Sequence, residues 1–326
     1  MILVSGSLAF DTVMRFEGRF ADHLLADRLA TLSVAFEVGM LRRDFGGCAG
    51  NICYSLALLG ERAAPWGTVG GDFDSYRAWF GQQGIPEDGL HRVEGLTAQA
   101  YIMTDSDNNQ ITAFHPGAMT RSAEAPFPNG LEGRVRLGIV APDSRDGMRA
   151  HAQAFQKRRI PYLLDPGQAL GILETGDFEA LLKGAGVLAL NAYEAALVRE
   201  RFGYDTARLA NQVQALVVTH GREGSHITVG DRILNIPAVP PEAELDPTGC
   251  GDAYRAGLVW GWIRGCDWAV SGRIASLLGS FKIAHPGTQN HRFTPPAFWA
   301  RYAEVFGEPP PGSLPQPRPS SPSPPR

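Results

Sequence analysis

The segment DPTGCGDAYRAG, residues 246–257, is the most informative stretch of this 326-residue sequence. Gly249 and Gly251 bracket Cys250, and an apolar pattern at helical spacing follows, which predicts a glycine-rich loop that leads directly into a helix. Backbone amides at a helix N-terminus, together with the helix dipole, favour an anion such as phosphate. Asp252 in the first turn has two interpretations: an ordinary helix-capping carboxylate, or a general base that accepts a proton from a hydroxyl attacking a phosphate.

A second glycine-rich segment, FGGCAGNICYSLALLG, covers residues 45–60. Gly46 and Gly47 permit close approach of the backbone to a ligand, and Asn51 offers a donor and an acceptor to hydroxyl groups. Asp11, which follows the first predicted strand, offers a carboxylate to two hydroxyls. Tight turns and helix caps use the same residue types, so these residues alone leave both interpretations open.

Two further segments place polar residues at the ends of apolar runs. NAYE, residues 191–194, contains one amide and one carboxylate, which suffice for magnesium because that ion prefers oxygen ligands and keeps several waters. A helix-opening Asn with a solvated Glu explains the same residues without a metal. VVTHGREGS, residues 217–225, predicts a strand followed by a glycine turn.

Short apolar runs alternate with helical patterns along most of the chain, which predicts a mainly parallel sheet covered by helices on both faces. The predicted strands and helices include Ile2–Ser5, Ala63–Val69, Leu137–Ala141, Pro161–Asp165, Val187–Asn191 and Ala215–Thr219 as strands, and Asn51–Leu59 and Arg145–Arg158 as helices. Two stretches, Thr12–Asp44 and Thr97–His115, interrupt this alternation. The second predicts a hairpin with its turn at residues 107–109, and such strands form either a lid over the sheet's ligand-binding edge or a peripheral decoration.

Composition excludes several classes of partner. With 44% hydrophobic residues, a net charge of -4 and a pI near 6.1, the chain lacks the broad basic surface expected for binding nucleic acid or an anionic membrane. No apolar run reaches the roughly 18 residues of a membrane span, and the N-terminus lacks the basic region of a signal peptide. The four cysteines form no CxxC pair, which predicts free thiols and a cytoplasmic location. Residues 306–326, rich in Pro and Ser, predict a disordered tail.

The segment at 246–257 resembles the DTxGAGD motif of the PfkB, or ribokinase-like, carbohydrate kinases. The resemblance implies one kinase domain over residues 1–305, with an α/β ribokinase-like fold in which a mainly parallel central sheet has helices on both faces. It also implies a small β-sheet lid, formed by about residues 12–45 and 97–116. ATP and Mg²⁺ are the cofactors that it implies.

Within the motif, the resemblance assigns a role to each of four residues. It implies that Asp252 is the catalytic base and that the amides of Gly249, Cys250 and Gly251 form an anion hole. Cys250 stands where the family usually has Ala. Its thiol beside a helix N-terminus predicts a lowered pKa and hence sensitivity to oxidation.

The resemblance also implies which residues bind the acceptor. The positions that match those holding the substrate sugar in the family are Asp11, Gly46, Gly47 and Asn51. Asn109 occupies the hairpin position from which relatives reach sugar or phosphate, although a plain turn residue is the alternative.

Matches to the family's nucleotide and metal positions follow the same pattern. The residues implied to contact ATP are Asn191, Thr219, Gly221 and Gly224. Glu194 is implied to hold Mg²⁺ through water, and 284–287 is a candidate wall for the adenine. His220 departs from the family, which often has Lys there.

Among these kinases, the hairpin together with LDPGQ, residues 164–168, looks most like the archaeal and bacterial nucleoside kinases and adenosine kinase-like proteins. A nucleoside would present its 5'-hydroxyl to the base and its nucleobase to the lid, where Met14, Phe16 and Phe114 either stack on it or form the core of the lid. The alternatives are a kinase of free ribose, fructose or a related sugar, and a catalytically silent ligand sensor. The resemblance is compatible with a monomer or with a homodimer formed through the lid.

Overall fold

The computed structural model describes residues 1–24, 31, 33–309 and 311, so most of the tail predicted at 306–326 lies outside the described residues. Within them, the strands form one large and one small sheet. The large sheet contains β1 (Ile2–Ser5), β4 (Ala63–Val69), β5 (Gly89–Arg92), β8 (Leu137–Val140), β9 (Tyr162–Leu164), β10 (Ala185–Asn191), β11 (Ala215–Thr219), β12 (Ser225–Val229) and β13 (Arg232–Ile236). The small sheet contains β2 (Ala9–Arg15), β3 (Met40–Gly46), β6 (Ala98–Thr104) and β7 (Gln110–His115).

The large sheet has the order β13-β12-β11-β10-β9-β8-β1-β4-β5. All neighbours from β11 to β5 are parallel, whereas β12 and β13 add an antiparallel hairpin at one edge, so the predicted mainly parallel sheet is confirmed. The sequence pattern misses β5, β12 and β13. These strands lie at or next to the edges of the sheet and mix buried with partly or fully exposed residues, so no continuous apolar run marks them.

Helices connect the strands and cover the sheet. The described helices are α1 (Phe20–His23), α2 (Cys48–Leu58), α3 (Asp74–Gln83), α4 (Arg145–Lys157), α5 (Thr175–Leu182), α6 (Ala192–Phe202), α7 (Thr206–Ala210), α8 (Cys250–Ile263), α9 (Trp268–Ile283) and α10 (Pro295–Phe306). Helix α2 begins at Cys48, earlier than the predicted start at Asn51, because Gly47 adopts a φ of 88° and serves as its N-cap. None of the described helices is long and apolar enough to span a membrane.

Two hydrophobic cores lie on the two faces of the large sheet. Successive side chains of β1 alternate between them, because Ile2 and Val4 belong to one core and Leu3 to the other. The first core also contains residues of α2, α3, α8, α9 and α10, and the second contains residues of α4, α5, α6 and α7. The predicted cover of helices on both faces is therefore confirmed.

The small sheet has the order β3-β2-β6-β7, and β6 and β7 form the predicted hairpin. The turn is stabilised by Asp105, whose carboxylate accepts hydrogen bonds from the amides of Asp107 at 3.0 Å and Asn109 at 2.8 Å. This sheet begins at Ala9 rather than near residue 12, because β2 pairs with both β3 and β6 from Ala9 onward. It is a separate layer that meets the large sheet near the glycines that precede α2.

Candidate active site

The candidate residues converge on one edge of the large sheet. Asp165, Asn191 and Thr219 lie at or just after the carboxyl ends of the parallel strands β9, β10 and β11. Parallel strands bring these ends to the same edge, where ligands bind in open α/β sheets. The N-termini of α2 and α8 meet there as well, since Asn51 of α2 contacts Asp252 of α8.

Asn51 is held in one orientation by a chain of hydrogen bonds. Its Nδ2 atom donates to Oδ2 of Asp252 at 2.8 Å, and its Oδ1 atom accepts from Nε2 of Gln289 at 3.0 Å. Gln289 Nε2 also donates to the Tyr76 hydroxyl at 2.5 Å, and Tyr76 donates to the carbonyl of Gly46 at 2.8 Å. Because Gln289 can only donate through that nitrogen, the amide of Asn51 must present its own NH₂ group to Asp252.

The surroundings of Asp252 raise its pKa to about 7. Burial is the largest cause, and the nearby charge of Asp165 acts in the same direction. The hydrogen bond from Asn51 and the charge of Arg255 favour the ionised form and oppose the shift. A carboxyl group with a pKa near neutrality is suited to accepting a proton at physiological pH.

A buried ion pair lies behind this carboxyl group. Nε and an Nη atom of Arg255 donate to the two carboxylate oxygens of Asp165 at 2.9 and 3.2 Å, and both side chains are at most 7% exposed. The same Nη2 atom that donates to Asp165 also lies 3.8 Å from Oε2 of Glu194. This bidentate pair fixes α8 against the end of β9, and therefore fixes the helix that carries Asp252.

The predicted glycine loop leads into α8 as expected. Gly249 is the N-cap, with a φ of 81° that suits glycine. The amide of Cys250 donates to the carbonyl of Pro247 at 3.1 Å, whereas those of Gly249, Gly251 and Asp252 meet no acceptor among the described residues. The free amides of the loop are thus those of Gly249, Gly251 and Asp252. The predicted donors are the amides of Gly249, Cys250 and Gly251, so the set differs in that Cys250 is not free and Asp252 is.

The expected lowering of the Cys250 pKa is not found. Burial raises the pKa of its thiol to about 11, and the positive charge of Lys282 opposes this only partly. The prediction of a lowered pKa is wrong because loss of solvation outweighs the helix dipole at this site. All four cysteines of the chain are free, as predicted.

Asp11 and the paired glycines lie together beside this network. A Cβ atom built on Gly46 would lie 2.1 Å from Oδ2 of Asp11, so only glycine leaves room for that carboxylate. Burial, followed by the charges of Asp44 and Asp246, raises the pKa of Asp11 to about 6. A carboxylate held in such surroundings gains from hydrogen-bond donors such as ligand hydroxyls.

Asn191 and Glu194 form a reciprocal capping box at the start of α6. Asn191 Oδ1 accepts from the amide of Glu194 at 2.8 Å, while Glu194 accepts from the amide of Asn191 at 2.7 Å and from its Nδ2 atom at 2.8 Å. The pKa of Glu194 is raised, first by burial and then by the charge of Asp165. The structure thus gives both residues a clear local role and also leaves an acidic group at the site edge.

The predicted nucleotide turn connects β11 to β12. Thr219 ends β11 and pairs with Ser225, and Gly221 and Gly224 adopt φ angles of 59° and 94° in the turn between them. His220, in place of the lysine common in the family, lies against the ring of His226 at a centroid distance of 4.6 Å. The turn lies beside the end of β10, where Asn191 pairs with Thr219.

The lid residues considered for nucleobase contact differ in their positions. Phe16 is 9% exposed and packs against Phe20 and Phe36, so it belongs to an aromatic cluster beside the small sheet. Phe114 is 51% exposed. Asn109 donates through Nδ2 to Asp105 at 3.1 Å and is not joined to the other candidate residues by any described contact, which favours its interpretation as a turn residue.

Sequence reasoning overlooked several residues of this site. Arg255 lies within the quoted 246–257 segment, where a charged residue in an otherwise apolar helix signals a buried partner. Asp165 stands out in the sequence only as the end of a predicted strand and as part of LDPGQ, and no pattern marks Gln289. Their roles depend on contacts between residues that are 90 or more positions apart in the sequence, and local sequence patterns do not reveal such contacts.

Comparisons with known proteins show the family to which the chain belongs. The sequence profile described as pfkB family carbohydrate kinase matches residues 14–294. The nucleoside kinase of Methanothermobacter thermautotrophicus is 31% identical over 295 residues, covering 89% of this chain and 91% of that protein. The structure of Burkholderia thailandensis nucleoside kinase in complex with inosine has a TM-score of 0.86 and 41% identity, covering 95% of this chain and 99% of that chain.

A second structure of the same Burkholderia kinase, in complex with ADP-inosine, gives a TM-score of 0.83 and 42% identity over 95% of this chain and 97% of that chain. The family profile spans most of the sequence, and the archaeal relative exceeds 30% identity over nearly the full length of both proteins. The chain therefore belongs to the pfkB family of carbohydrate kinases, and the protein is a phosphotransferase that acts on a hydroxyl group.

Proposed function

We propose that this protein is a nucleoside kinase, which transfers the γ-phosphate of MgATP to the 5'-hydroxyl of a purine nucleoside such as inosine, adenosine or guanosine. The observation that carries the proposal is Asp252, a carboxyl group with a pKa raised to about 7, held by Asn51 beside the free first-turn amides of α8. The two structures of Burkholderia thailandensis nucleoside kinase, in complex with inosine and with ADP-inosine, support the choice of acceptor and donor.

In the proposed mechanism, Asp252 accepts the proton of the 5'-hydroxyl as that oxygen bonds to the γ-phosphorus, while the bond from the γ-phosphorus to the β–γ bridging oxygen breaks and ADP leaves. The amides of Gly249 and Gly251 lie at the helix N-terminus, where they stabilise the negative charge on the transferred phosphoryl group. Asn51 keeps the Asp252 carboxylate oriented. In the same mechanism, Asn51 also contacts the sugar of the nucleoside.

The acceptor's sugar is assigned to the junction of the two sheets. Asp11 belongs to β2 of the small sheet, yet its carboxylate lies against Gly46 and near the network of Tyr76. Two vicinal hydroxyls of a ribose would satisfy this carboxylate, and Gly47 allows the sugar to approach the backbone. The small sheet would then serve as the lid that excludes water during transfer.

The same proposal assigns magnesium to the acidic edge of the site, at Glu194. Burial and Asp165 raise the pKa of Glu194, which means that its negative charge is unfavourable where it stands. A divalent cation, held through water by Glu194 with the help of Asn191, would relieve that cost and neutralise phosphate charge. Thr219 and the glycines of the β11–β12 turn would contact the nucleotide at the same edge.

A panel of acceptors tests the proposal. Purified protein would be incubated with MgATP and, separately, inosine, adenosine, guanosine, cytidine, ribose and fructose, and the phosphorylated products would be identified by mass spectrometry. We expect 5'-monophosphates from one or more purine nucleosides. Turnover of ribose or fructose alone would make the protein a sugar kinase, and absence of transfer to every acceptor would favour the sensor.

We also propose a cytoplasmic location, in keeping with four free cysteines and an intracellular phosphoryl donor. The oligomeric state is either a monomer or a homodimer formed through the small sheet. Leu41 and Phe114 on that sheet are 65% and 51% exposed, which fits a partner copy at this surface. Sedimentation velocity of the wild type and of Leu41→Lys would distinguish the two states.

A further inference from the structure

Lys282 is a fully buried lysine near the end of α9, with an exposed fraction of 0%. Its Nζ atom donates to two backbone carbonyls, that of Asp246 at 3.0 Å and that of His285 at 3.1 Å. No carboxylate oxygen of the described residues lies within ion-pair distance of Nζ, although the charges of Asp246 and Asp252 favour its protonated form. A buried ammonium ion without a carboxylate partner is costly, so its retention needs a reason.

The two carbonyls belong to the loop before the anion hole and to the loop after α9. Asp246 lies three residues before Gly249, and its carboxylate accepts from the amides of Thr248 at 2.9 Å and Gly287 at 2.8 Å. The Asp246 amide donates to the carbonyl of Ile283 at 3.1 Å. The loop at 246–249 is therefore attached to the end of α9 on several sides, and Lys282 lies at the centre of these attachments.

The side chain of Lys282 also passes beside Gly249, the N-cap of α8. A Cβ atom built on Gly249 would lie 3.5 Å from Cε of Lys282. The same loop reaches the small sheet, because Thr288 donates through Oγ1 to the carbonyl of Phe45 at 2.7 Å. Any displacement of the 284–289 loop would therefore move both the amides that face the phosphate and the end of β3.

We propose that Lys282 is a positioning residue for phosphoryl transfer, in which its ammonium ion acts as a built-in monovalent cation between the carbonyls of Asp246 and His285. This inference rests on the proposed role of Asp252 and the α8 amides. Two carbonyl oxygens that point at one spot repel each other unless a cation lies between them. Lys282 supplies that cation covalently, so it fixes the amides of Gly249 and Gly251 without an ion taken from solution.

Two variants separate this role from ordinary packing. Lys282→Ala removes the ammonium ion and leaves a cavity, whereas Lys282→Met removes the charge and keeps most of the volume. Both are expected to lower kcat by about 10-fold or more, because a small misplacement of catalytic groups is costly. KM for the nucleoside should change less, since Asp11 and Asn51 do not contact Lys282.

Chemical rescue provides the decisive measurement. Turnover of each full-length protein with MgATP and inosine would be measured in a buffer free of metal monovalent cations, with ammonium or propylammonium chloride added against choline chloride at equal ionic strength. We expect these cations to restore Lys282→Ala several-fold, to have little effect on Lys282→Met and to leave the wild type unchanged. Melting temperatures would be recorded in parallel.

Leu278→Ala is the matched control, because Leu278 is fully buried on the same helix, one turn before Lys282. It should lose stability without any response to ammonium. Wild-type kcat in Lys282→Ala, a loss that no cation restores, or strong activation of the wild type by ammonium would each overturn the inference. Failure of the proposed function would instead show as a wild type that phosphorylates no acceptor, or as normal turnover in Asp252→Asn.

Discussion

Nδ2 of Asn51 donates a hydrogen bond of 2.8 Å to Oδ2 of Asp252, and this contact joins two helix N-termini that are 201 residues apart in sequence. The residue assigned to the acceptor's sugar thus also holds the proposed base. Because the hydrogen bond lowers the pKa of Asp252, it keeps more of the carboxylate in the form that accepts a proton. Under the proposed function, acceptor binding and base strength would be coupled through this one side-chain amide.

The first prediction concerns the base itself. Asp252→Asn keeps the shape of the side chain and an acceptor for Asn51, but it removes the group that takes the hydroxyl proton. We expect kcat to fall by about 10²- to 10⁴-fold, with inosine affinity nearly unchanged by calorimetry. Near-normal kcat in this variant would eliminate Asp252 as the base.

The same variant should be more stable than the wild type at pH 8. The pKa of Asp252 is raised from 3.8 to about 7, so the folded state binds the proton more tightly than the unfolded chain. The ionised group therefore lowers stability, a cost that grows as pH rises from 3.8 to about 7 and is fully present above that range. Asp252→Asn removes it, and we expect a melting temperature higher by about 2 °C or more at pH 8. The difference should shrink as the pH is lowered toward 5, and a variant less stable than the wild type at pH 8 would contradict the burial cost.

Activity should follow the ionisation of Asp252. Because only the carboxylate accepts a proton, kcat/KM with inosine should rise with pH and reach a plateau above about pH 8, with a midpoint near the pKa of about 7. Asn51→Ala removes a hydrogen bond that lowers this pKa, so its midpoint should move to higher pH. Profiles measured from pH 5 to 9 test both statements, and a flat profile would refute them.

Gly46 should be irreplaceable because of its contact with Asp11. A Cβ atom at Gly46 would lie 2.1 Å from the Asp11 carboxylate, so Gly46→Ala must displace that side chain. We expect KM for the nucleoside to rise by about 10-fold or more, the loss of roughly one to two good hydrogen bonds. Gly81→Ala on α3 is the control, since its Cβ atom would meet nothing within 4 Å, and its kinetics should match the wild type. Equal KM values for the two variants would argue against a sugar site at Asp11.

The parts of this site that the sequence reveals are those encoded locally. Gly249, Gly251 and Asp252 are adjacent in the chain, so the loop, the helix start and the acidic first-turn residue follow from one short segment. The strands of the parallel sheet are also legible, because burial on both faces makes them continuous apolar runs. For these strands, the burial that stabilises the structure is also what produces the apolar run in the sequence.

Tertiary contacts explain what the sequence did not reveal. The thiol of Cys250 looked activated because a helix N-terminus was visible, while the burial that raises its pKa was not. Likewise, the amide of Cys250 donates a hydrogen bond to the carbonyl of Pro247, and this turn depends on the backbone conformation of the loop. Gln289 and Lys282 act only through partners brought together by folding.

The buried pair of Arg255 and Asp165 yields the last prediction. Arg255→Met leaves the Asp165 carboxylate buried, at 7% exposure, without its two donors. We expect a loss of about 3–5 kcal/mol in the free energy of unfolding, measured by urea denaturation.

Two further variants test whether that loss comes from the stranded charge. Replacing both partners, as in Asp165→Leu with Arg255→Met, should recover a large part of the stability, because two apolar side chains have no buried charge to compensate. Arg19→Met is the matched control, since Arg19 pairs with Asp107 at the surface with 55% and 46% exposure and should be nearly neutral. If the double variant were as unstable as Arg255→Met, packing of the arginine side chain rather than an unpaired carboxylate would account for the loss, and the pair would serve as a spacer between α8 and β9.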